Sequence, residues 1–459
     1  MDDDDRSDDP GRDRRRGRAV PSGRLARLGA FGRLAGGVAG GVVAEGARRL
    51  AAGERPQLSD LILTPGNATR VADQLSNLRG AAMKMGQMIS MDAGDMLPAE
   101  LSGILARLRD NAHAMPPAQL DKLLIREWGK DWRRRFARFQ AHPIAAASIG
   151  QVHRAQTRDG RDLAIKVQFP GIERSIDADV DNVATLLRVS RLLPAGLDLA
   201  PLLAEAKRQL HEEADYRREG AMMTRYAALV GDDPRFVVPA LDAEFSTDNV
   251  LAMDFVEGVP VERLDDADQP TRDAMMTALI DLVLAELFDW GVMQTDPNFA
   301  NYRWQPDSGR LVLLDFGATR EIAAATQAAY RGLLSAGLAG NRAAARRAAL
   351  DAGFLGDAAV ARHQAPIDRM IDVVIREMAR DGPFDFGDRG FVADLRDEGM
   401  GIAQDRSTWH VPPVDTLFVQ RKISGTALLA ARLKARVPVR AMATARLAEQ
   451  PGGTRAVSA

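Results

Sequence analysis

Residues 291–304 read GVMQTDPNFANYRW, and the strand-like run LVLLDFG follows at 311–317. The first stretch places Asp296 and Asn301 directly after a long apolar helical tract. The second ends its apolar run in another carboxylate, that of Asp315. Oxygen-only groups of this kind are the ligands that Mg²⁺ prefers. The two stretches therefore predict a magnesium-binding centre, and their spacing decides the fold.

The composition is that of a globular intracellular protein. The chain has 459 residues, of which 46% are hydrophobic, enough for two or three domains. Lys and Arg number 61 against 63 Asp and Glu, and the net charge of −2 gives no overall field that would attract nucleic acid. The absence of cysteine excludes a disulfide scaffold and a thiolate metal site. The start MDDDD shows no signal peptide, so we expect a cytoplasmic location.

Changes in composition and periodicity divide the chain into six segments. They are a disordered charged tail at 1–24, a Gly-rich amphipathic segment at 25–55, a helical extension at 56–130, a β-rich lobe at 131–257, a helical lobe at 258–440 and a flexible tail at 441–459. The apolar part of the Gly-rich segment falls short of the roughly 20 residues that span a bilayer. It suits a helix lying on a membrane surface or packing closely against another helix. A flexible linker is the alternative.

The β-rich lobe carries a candidate nucleotide-binding strand. The run AIK at 164–166 follows a hairpin signalled by Asp159-Gly160. The preceding turn, AAASIGQV at 145–152, has the layout of the phosphate-covering loop G-x-G-x-x-G-x-V, with alanine at the first two glycine positions. A lone strand lysine usually faces solvent at a sheet edge, but this loop predicts that Lys166 holds phosphates. The predicted nucleotide-binding residues are Ala145, Ala146, Ala147, Ser148, Gly150, Val152 and Lys166.

A phosphate-holding lysine needs a carboxylate partner from a helix, because an ion pair fixes the position of the ammonium group. The stretch QLHEEADYRREGAMMTRY at 209–226 offers four carboxylates. Helical periodicity places Glu212, Asp215 and Glu219 on one stripe, with Glu213 about 100° away. The alternative is a solvated charged helix face.

The stretch at 291–304 completes an order of motifs like that of protein kinases. Asp296 and Asn301 have the D-x-x-x-x-N spacing of a kinase catalytic loop, and Asp315 begins a DFG motif. Asp296 would accept a proton from the attacking group or orient it, while Asn301 and Asp315 would bind Mg²⁺ together with ATP. The order of motifs predicts an α+β, bilobal protein-kinase-like fold with a small β-rich N-lobe and a helical C-lobe.

From about residue 60 to 440 the sequence resembles the UbiB family of atypical kinases, the aarF-domain proteins. QTDPNFAN at 294–301 resembles the subgroup of the mitochondrial coenzyme Q biosynthesis kinase. Lys84, Gly86 and Gln87 match the K-x-G-Q signature of the family. The resemblance implies that the helical extension carrying this signature packs over the cleft and occludes peptides. From the residues alone, a Met-lined amphipathic helix is the alternative.

The stretch EADYRRE at 213–219 resembles a second family element. The resemblance implies that Glu213 and Asp215 form the E-x-D pair and that Glu219 is the partner of Lys166. Periodicity alone favours Glu212 over Glu213, so the sequence leaves open which of the two acts.

Two departures from ordinary protein kinases bear on the substrate. No APE motif follows the DFG motif, which disfavours a peptide substrate. Alanine at 145 and 147 restricts the loop backbone, which should suppress ordinary phosphotransfer. The C-terminal run FVQRKISGTALLAARLKARV at 418–437 is basic and amphipathic, where some bacterial members of the family have membrane helices.

These features predict an ATPase or small-molecule kinase that uses ATP and Mg²⁺. The resemblance implies a role in ubiquinone (coenzyme Q) biosynthesis, peripheral at the inner face of the membrane and without a spanning helix. Its expected partners are a lipid or phenolic quinone precursor, the membrane surface and quinone-biosynthesis enzymes, with no nucleic acid. A nucleotide-gated lipid-binding scaffold without turnover and a true protein kinase are the alternatives. A homodimer is also left open.

Overall fold

The computed structural model describes residues 115–147, 149–189, 200–408, 410 and 412–448. The charged tail, the Gly-rich segment and most of the helical extension lie outside these ranges. The predicted site residues that also lie outside them are Lys84, Gly86, Gln87 and Ser148. The chain divides into two compact units. The first contains the residues up to Gly220 together with Ala240–Phe255, and the second contains Ala221–Pro239 and the residues from Val256 onward.

Helices and short strands alternate along the chain. The α-helices are α1 (Pro117–Trp128), α2 (Ile176–Val189), α3 (Ala200–Ala214), α4 (Tyr216–Val230), α5 (Gln269–Ala285), α6 (Ala324–Leu338), α7 (Arg342–Asp351), α8 (Asp357–Ala379), α9 (Gly390–Gln404), α10 (Val414–Arg432) and α11 (Val439–Ala448). The strands are β1 (Phe136–Phe139), β2 (Ala145–Ala146), β3 (Gly150–Thr157), β4 (Asp162–Gln168), β5 (Phe236–Val237), β6 (Val250–Asp254), β7 (Val259–Pro260), β8 (Val292–Gln294), β9 (Tyr302–Gln305), β10 (Arg310–Leu313), β11 (Thr319–Glu321), β12 (Phe384–Asp385) and β13 (Arg436–Val437).

The first unit is organised around an antiparallel sheet in the order β1-β3-β4-β6, with β2 paired to β3. The β3–β4 hairpin turns at Gly160, whose φ of 93° favours glycine and explains the Asp-Gly signal. Strand β4 is central, and its apolar side chains Leu163, Ile165 and Val167 are fully buried. Their burial holds the intervening Lys166 in a fixed register within the sheet.

The acidic tract is divided into two helices, which corrects the sequence prediction. Helix α3 ends at Ala214 and α4 begins at Tyr216, so Glu212 and Glu219 do not share a single helical stripe. The break occurs at Asp215, whose carboxylate accepts a hydrogen bond from the backbone N–H of Arg218 at 2.9 Å. A short side chain that caps the first turn of the next helix competes with continuation of the previous one.

The second unit is mainly helical and carries three small sheets in its described residues, one of which pairs β12 with β13. Another has the order β5-β10-β9-β7, and the third pairs β11 with β8. A buried apolar cluster that includes Leu287, Met293, Tyr330 and Val419 lies at the junction of the helices with β8. The β8–β11 pairing fixes where the chain leaves each strand, which sets the start of the loop containing Asp296. Across the described residues, none of the helices combines the length and apolar content needed to cross a membrane.

Candidate active site

Strand β4 and helix α4 bring Lys166 and Glu219 into a buried ion pair. The ammonium nitrogen of Lys166 donates to both carboxylate oxygens of Glu219, at 2.8 and 2.9 Å. The two side chains are only 7% and 1% exposed, and the ammonium lies 5.2 Å from the ring centre of Tyr216. A desolvated pair of this kind holds the lysine in one orientation. The family resemblance implied this pairing although 53 positions separate the two residues.

The alanine-rich turn lies directly beside this pair. Ala145 of β2 is opposite Val152 of β3, and Val152 is opposite Lys166 of β4. The backbone N–H of Ala147 donates to the carbonyl of Gly150 at 2.9 Å, which closes the turn. A Cβ atom at Gly150 would lie 2.4 Å from the carbonyl oxygen of the facing strand, so this position accepts only glycine. The turn is thus held tightly against the lysine strand.

The structure places the two predicted E-x-D residues in different roles. Asp215 is the N-cap of α4, where its side chain accepts the hydrogen bond from Arg218. Glu213 is half-buried near the end of α3. Glu212 forms an ion pair with Arg208 on its own helix, so it stabilises α3 locally.

In the second unit, the loop between β8 and β9 places Asp296 and Asn301 side by side. The amide nitrogen of Asn301 donates to the main-chain carbonyl of Asp296 at 3.4 Å. The backbone N–H of Leu314 donates to the carbonyl of Asn301 at 3.0 Å. Thr295 donates from both its backbone N–H and its hydroxyl group to the carbonyl of Ala318, at 3.2 and 2.9 Å. These bonds join the loop to the DFG segment.

Specific contacts hold the first two residues of the DFG segment in place. The carboxylate of Asp315 accepts a hydrogen bond from the backbone N–H of Gly317 at 3.0 Å. Phe316 is fully buried and packs against the ring of Tyr226, with ring centroids 5.1 Å apart. Burial of the phenylalanine and the local turn define the orientation of the aspartate carboxylate.

Asn301 and Asp315 carry the amide and carboxylate oxygens that Mg²⁺ accepts as ligands. One amide oxygen and one carboxylate are few ligands, but Mg²⁺ keeps several waters and uses substrate phosphates for the rest. No cluster of three or more His, Cys, Asp or Glu residues occurs in the part of the chain that the structure describes.

Sequence analysis missed a cation beside the predicted catalytic aspartate. A nitrogen of the Arg421 guanidinium lies 3.3 Å from a carboxylate oxygen of Asp296, and the two side chains are 8% and 17% exposed. Arg421 belongs to α10, one turn before Gly425, which packs against Pro297. Periodicity alone could not identify this contact, because 125 positions separate the two residues.

Comparisons with known proteins identify the family of the chain. The family model described as "ABC1 atypical kinase-like domain" matches residues 107–349. "Atypical kinase COQ8, mitochondrial" of Saccharomyces cerevisiae is 36% identical, over 91% of this chain and 84% of that protein. "Atypical kinase COQ8B, mitochondrial" of Rattus norvegicus is 37% identical, over 93% of this chain and 81% of that protein.

Among solved structures, the complex of Mycobacterium tuberculosis Rv3197 with erythromycin aligns with a TM-score of 0.61 and 27% identity. The alignment covers 84% of this chain and 97% of that one. Together with the family match, this similarity confirms the α+β kinase-like fold predicted from the sequence.

Proposed function

Because this chain belongs to the ABC1 atypical kinase-like family, we propose that it is an ATP- and Mg²⁺-dependent ATPase or small-molecule kinase. The family membership itself was predicted from the motifs and is confirmed by the family match and the relatives. The nucleotide, the metal and the acceptor are the proposed parts of the function.

The observation that carries the proposal is the buried ion pair of Lys166 and Glu219 beside the alanine-rich turn. Burying two charges costs desolvation energy that their mutual attraction can fail to repay, so stability alone is a poor reason for such a pair. An ammonium group held rigidly beside a tight backbone turn is suited to binding nucleotide phosphates. The phosphates of ATP would supply additional negative charge to an ammonium that is already oriented.

The second unit would supply the groups that act on the transferred phosphoryl. Asn301 and Asp315 would hold Mg²⁺, which when bound neutralises phosphate charge. The γ-phosphoryl would pass from ATP to the oxygen of water or of a hydroxyl group, with ADP as the leaving group. Asp296 would accept the proton from that oxygen. Arg421 would hold the carboxylate of Asp296 in place.

The family resemblance supports ubiquinone biosynthesis at a membrane surface as the biological setting. Relatives that carry mitochondrial COQ8 and COQ8B names support the quinone-biosynthesis part of this proposal. We propose a lipid or phenolic quinone precursor as the ligand that stimulates turnover, or as the acceptor. A small acceptor agrees with the missing APE motif after the DFG motif.

The direct test is phosphate release from ATP and Mg²⁺, with and without anionic liposomes and a phenol that mimics the precursor. Asp315→Asn should abolish release while the melting temperature stays near that of the wild type. Asp307→Asn, in the exposed turn between β9 and β10, is the matched control and should retain full turnover. Turnover that persists in Asp315→Asn would refute the metal assignment.

Two further outcomes would replace the proposal. Nucleotide binding without phosphate release under every condition would indicate a nucleotide-gated scaffold. Phosphate incorporated into an added protein, with little free phosphate, would indicate a protein kinase.

A further inference from the structure

A single buried lysine contacts both ends of the loop that carries Asp296 and Asn301. Lys422, on α10, is 1% exposed. Its ammonium nitrogen donates to the side-chain oxygen of Gln294 at 3.0 Å and to the hydroxyl of Tyr302 at 2.7 Å. Gln294 lies two residues before Asp296, and Tyr302 directly follows Asn301. The ammonium group therefore connects the last residue of β8 with the first residue of β9.

A buried carboxylate lies near the same ammonium group as its charge partner. An oxygen of Glu286 lies 3.6 Å from the nitrogen of Lys422, and the Glu286 side chain is fully buried. The other oxygen of Glu286 accepts from the backbone N–H of Gln294 at 2.8 Å and from the hydroxyl of Tyr226 at 2.7 Å. Glu286 thus holds the backbone at the start of the loop, while Lys422 holds the side chains at both ends.

The charges of this network are balanced inside the protein. Burial raises the pKa of Glu286. Burial would lower the pKa of Lys422, but the nearby Glu286 carboxylate and the Tyr302 hydroxyl raise it above its ordinary value. Gln294 and Tyr302 accept hydrogen bonds from this ammonium, and Glu286 supplies the opposite charge. Glu286 also begins a turn of π-helix, Glu286–Trp290, a feature that is frequent at functional sites.

Helix α10 supports the middle of the loop as well. A Cβ atom at Gly425 would lie 2.3 Å from the Cβ of Pro297, so only glycine permits this approach. The helix therefore contacts the start, the middle and the end of one short loop. A fully buried ion pair contributes little net stability compared with apolar residues of the same volume. Its location around a predicted catalytic loop points to a role in geometry.

We propose that Lys422 is a positioning residue that fixes Asp296 relative to Asn301 by holding both ends of their loop. The inference rests on the proposed function, because it assigns Lys422 a part in the same reaction. The Lys422 side chain is almost completely buried, so it acts on the loop through its hydrogen bonds to Gln294 and Tyr302.

The test compares two charge-balanced double variants. Lys422→Met with Glu286→Gln removes the buried pair without leaving an unpaired buried charge. Arg432→Met with Asp265→Asn removes a half-exposed pair whose arginine lies on the same helix, and it is the matched control. Tyr302→Phe is a milder variant that removes one acceptor and keeps the charge balance. Each protein is assayed for kcat and KM with ATP and Mg²⁺, melting temperature, and amide hydrogen exchange across 294–302.

We expect the Lys422/Glu286 variant to lose about 10- to 100-fold in kcat, because small misplacements of reacting groups carry penalties of this order. Its KM for ATP should stay within about threefold of the wild type, since the phosphate-holding pair is untouched. Exchange across 294–302 should accelerate, and the melting temperature should change little. Tyr302→Phe should show a smaller loss of kcat, and the control should match the wild type.

A kcat and an exchange rate equal to those of the wild type would overturn the inference. A loss of kcat that only follows a lower melting temperature, with unchanged exchange at 294–302, would also overturn it, because it would indicate a merely structural pair. If the wild type releases no phosphate, the proposed function fails. Hydrogen exchange across 294–302 then decides the positioning role by itself.

Discussion

Single and double substitutions of the Lys166–Glu219 pair can distinguish its effect on stability from its effect on activity. Lys166→Met and Glu219→Met each remove one charge and leave the other buried. The double variant removes both and replaces them with apolar side chains of similar length. If the pair exists to hold nucleotide phosphates, the double variant should fold well and remain inactive.

The expected magnitudes follow from the geometry. The two side chains are joined by hydrogen bonds of 2.8 and 2.9 Å and are almost fully buried. Removal of one partner from such a pair costs about 3–5 kcal/mol, because the remaining charge keeps its desolvation penalty. The double variant should regain at least about 2 kcal/mol relative to either single variant, since neither charge remains. Turnover should fall at least about 100-fold in all three variants, because none retains a positioned ammonium.

The assay combines chemical denaturation of the four proteins with phosphate release from ATP and Mg²⁺. A control cycle uses Arg217 and Asp248, an exposed ion pair that starts two residues before Glu219. Each control variant should change the free energy of unfolding by less than about 1 kcal/mol and should keep its turnover. The reasoning is refuted if the Met/Met double variant is no more stable than the single variants, or if it releases phosphate at the wild-type rate.

Two further predictions concern the first unit. Gly150→Ala should lower stability by about 1–3 kcal/mol and weaken ATP binding, because the added methyl group would lie 2.4 Å from the Val167 carbonyl oxygen. Denaturation and nucleotide titration measure both effects, and Gly401→Ala, where the methyl group meets nothing within 4 Å, should show neither. Burial lowers the pKa of His153 to about 4, so its contribution to stability is complete above the unfolded pKa and is lost as the pH falls toward 4. The free energy of unfolding should fall by roughly 3 kcal/mol between about pH 7 and about pH 4. For His153→Gln, the free energy of unfolding should change correspondingly less over the same range.

Local motifs predict the strand hairpin and the phosphate-covering turn, and the family resemblance implies the pairing of Lys166 with Glu219. Each of these depends on residue types with a direct backbone or charge requirement, such as glycine at a positive φ in the Asp159-Gly160 turn. The helix break at Asp215 had a sequence signal as well. An aspartate is a strong N-cap residue, but the continuous charge pattern on both sides was interpreted as one helix.

The basic run at 418–437 makes contacts that helical periodicity cannot predict. Its sequence is basic and amphipathic, but two of its cations, Arg421 and Lys422, are buried in α10. Lysine and arginine are rarely buried unless they are paired. Their partners Asp296 and Gln294 lie 125 and 128 positions earlier, so no local pattern could identify them.

The location of α10 also bears on how large the functional unit is. The family model matches 107–349, a range that includes every motif from Lys166 to Asp315 but ends before α10. Inside that range, the loop between β8 and β9 contains no lysine or arginine, so its carboxylate meets no cation from its own segment. The positive charges come from Arg421 and Lys422. Asp296 and Gln294 contact these cations across 125 and 128 positions, so the geometry of the loop depends on the packing of α10. The proposed active site therefore includes α10, which lies beyond the matched range, and substitution of Arg421 or Lys422 should lower turnover by misplacing the loop.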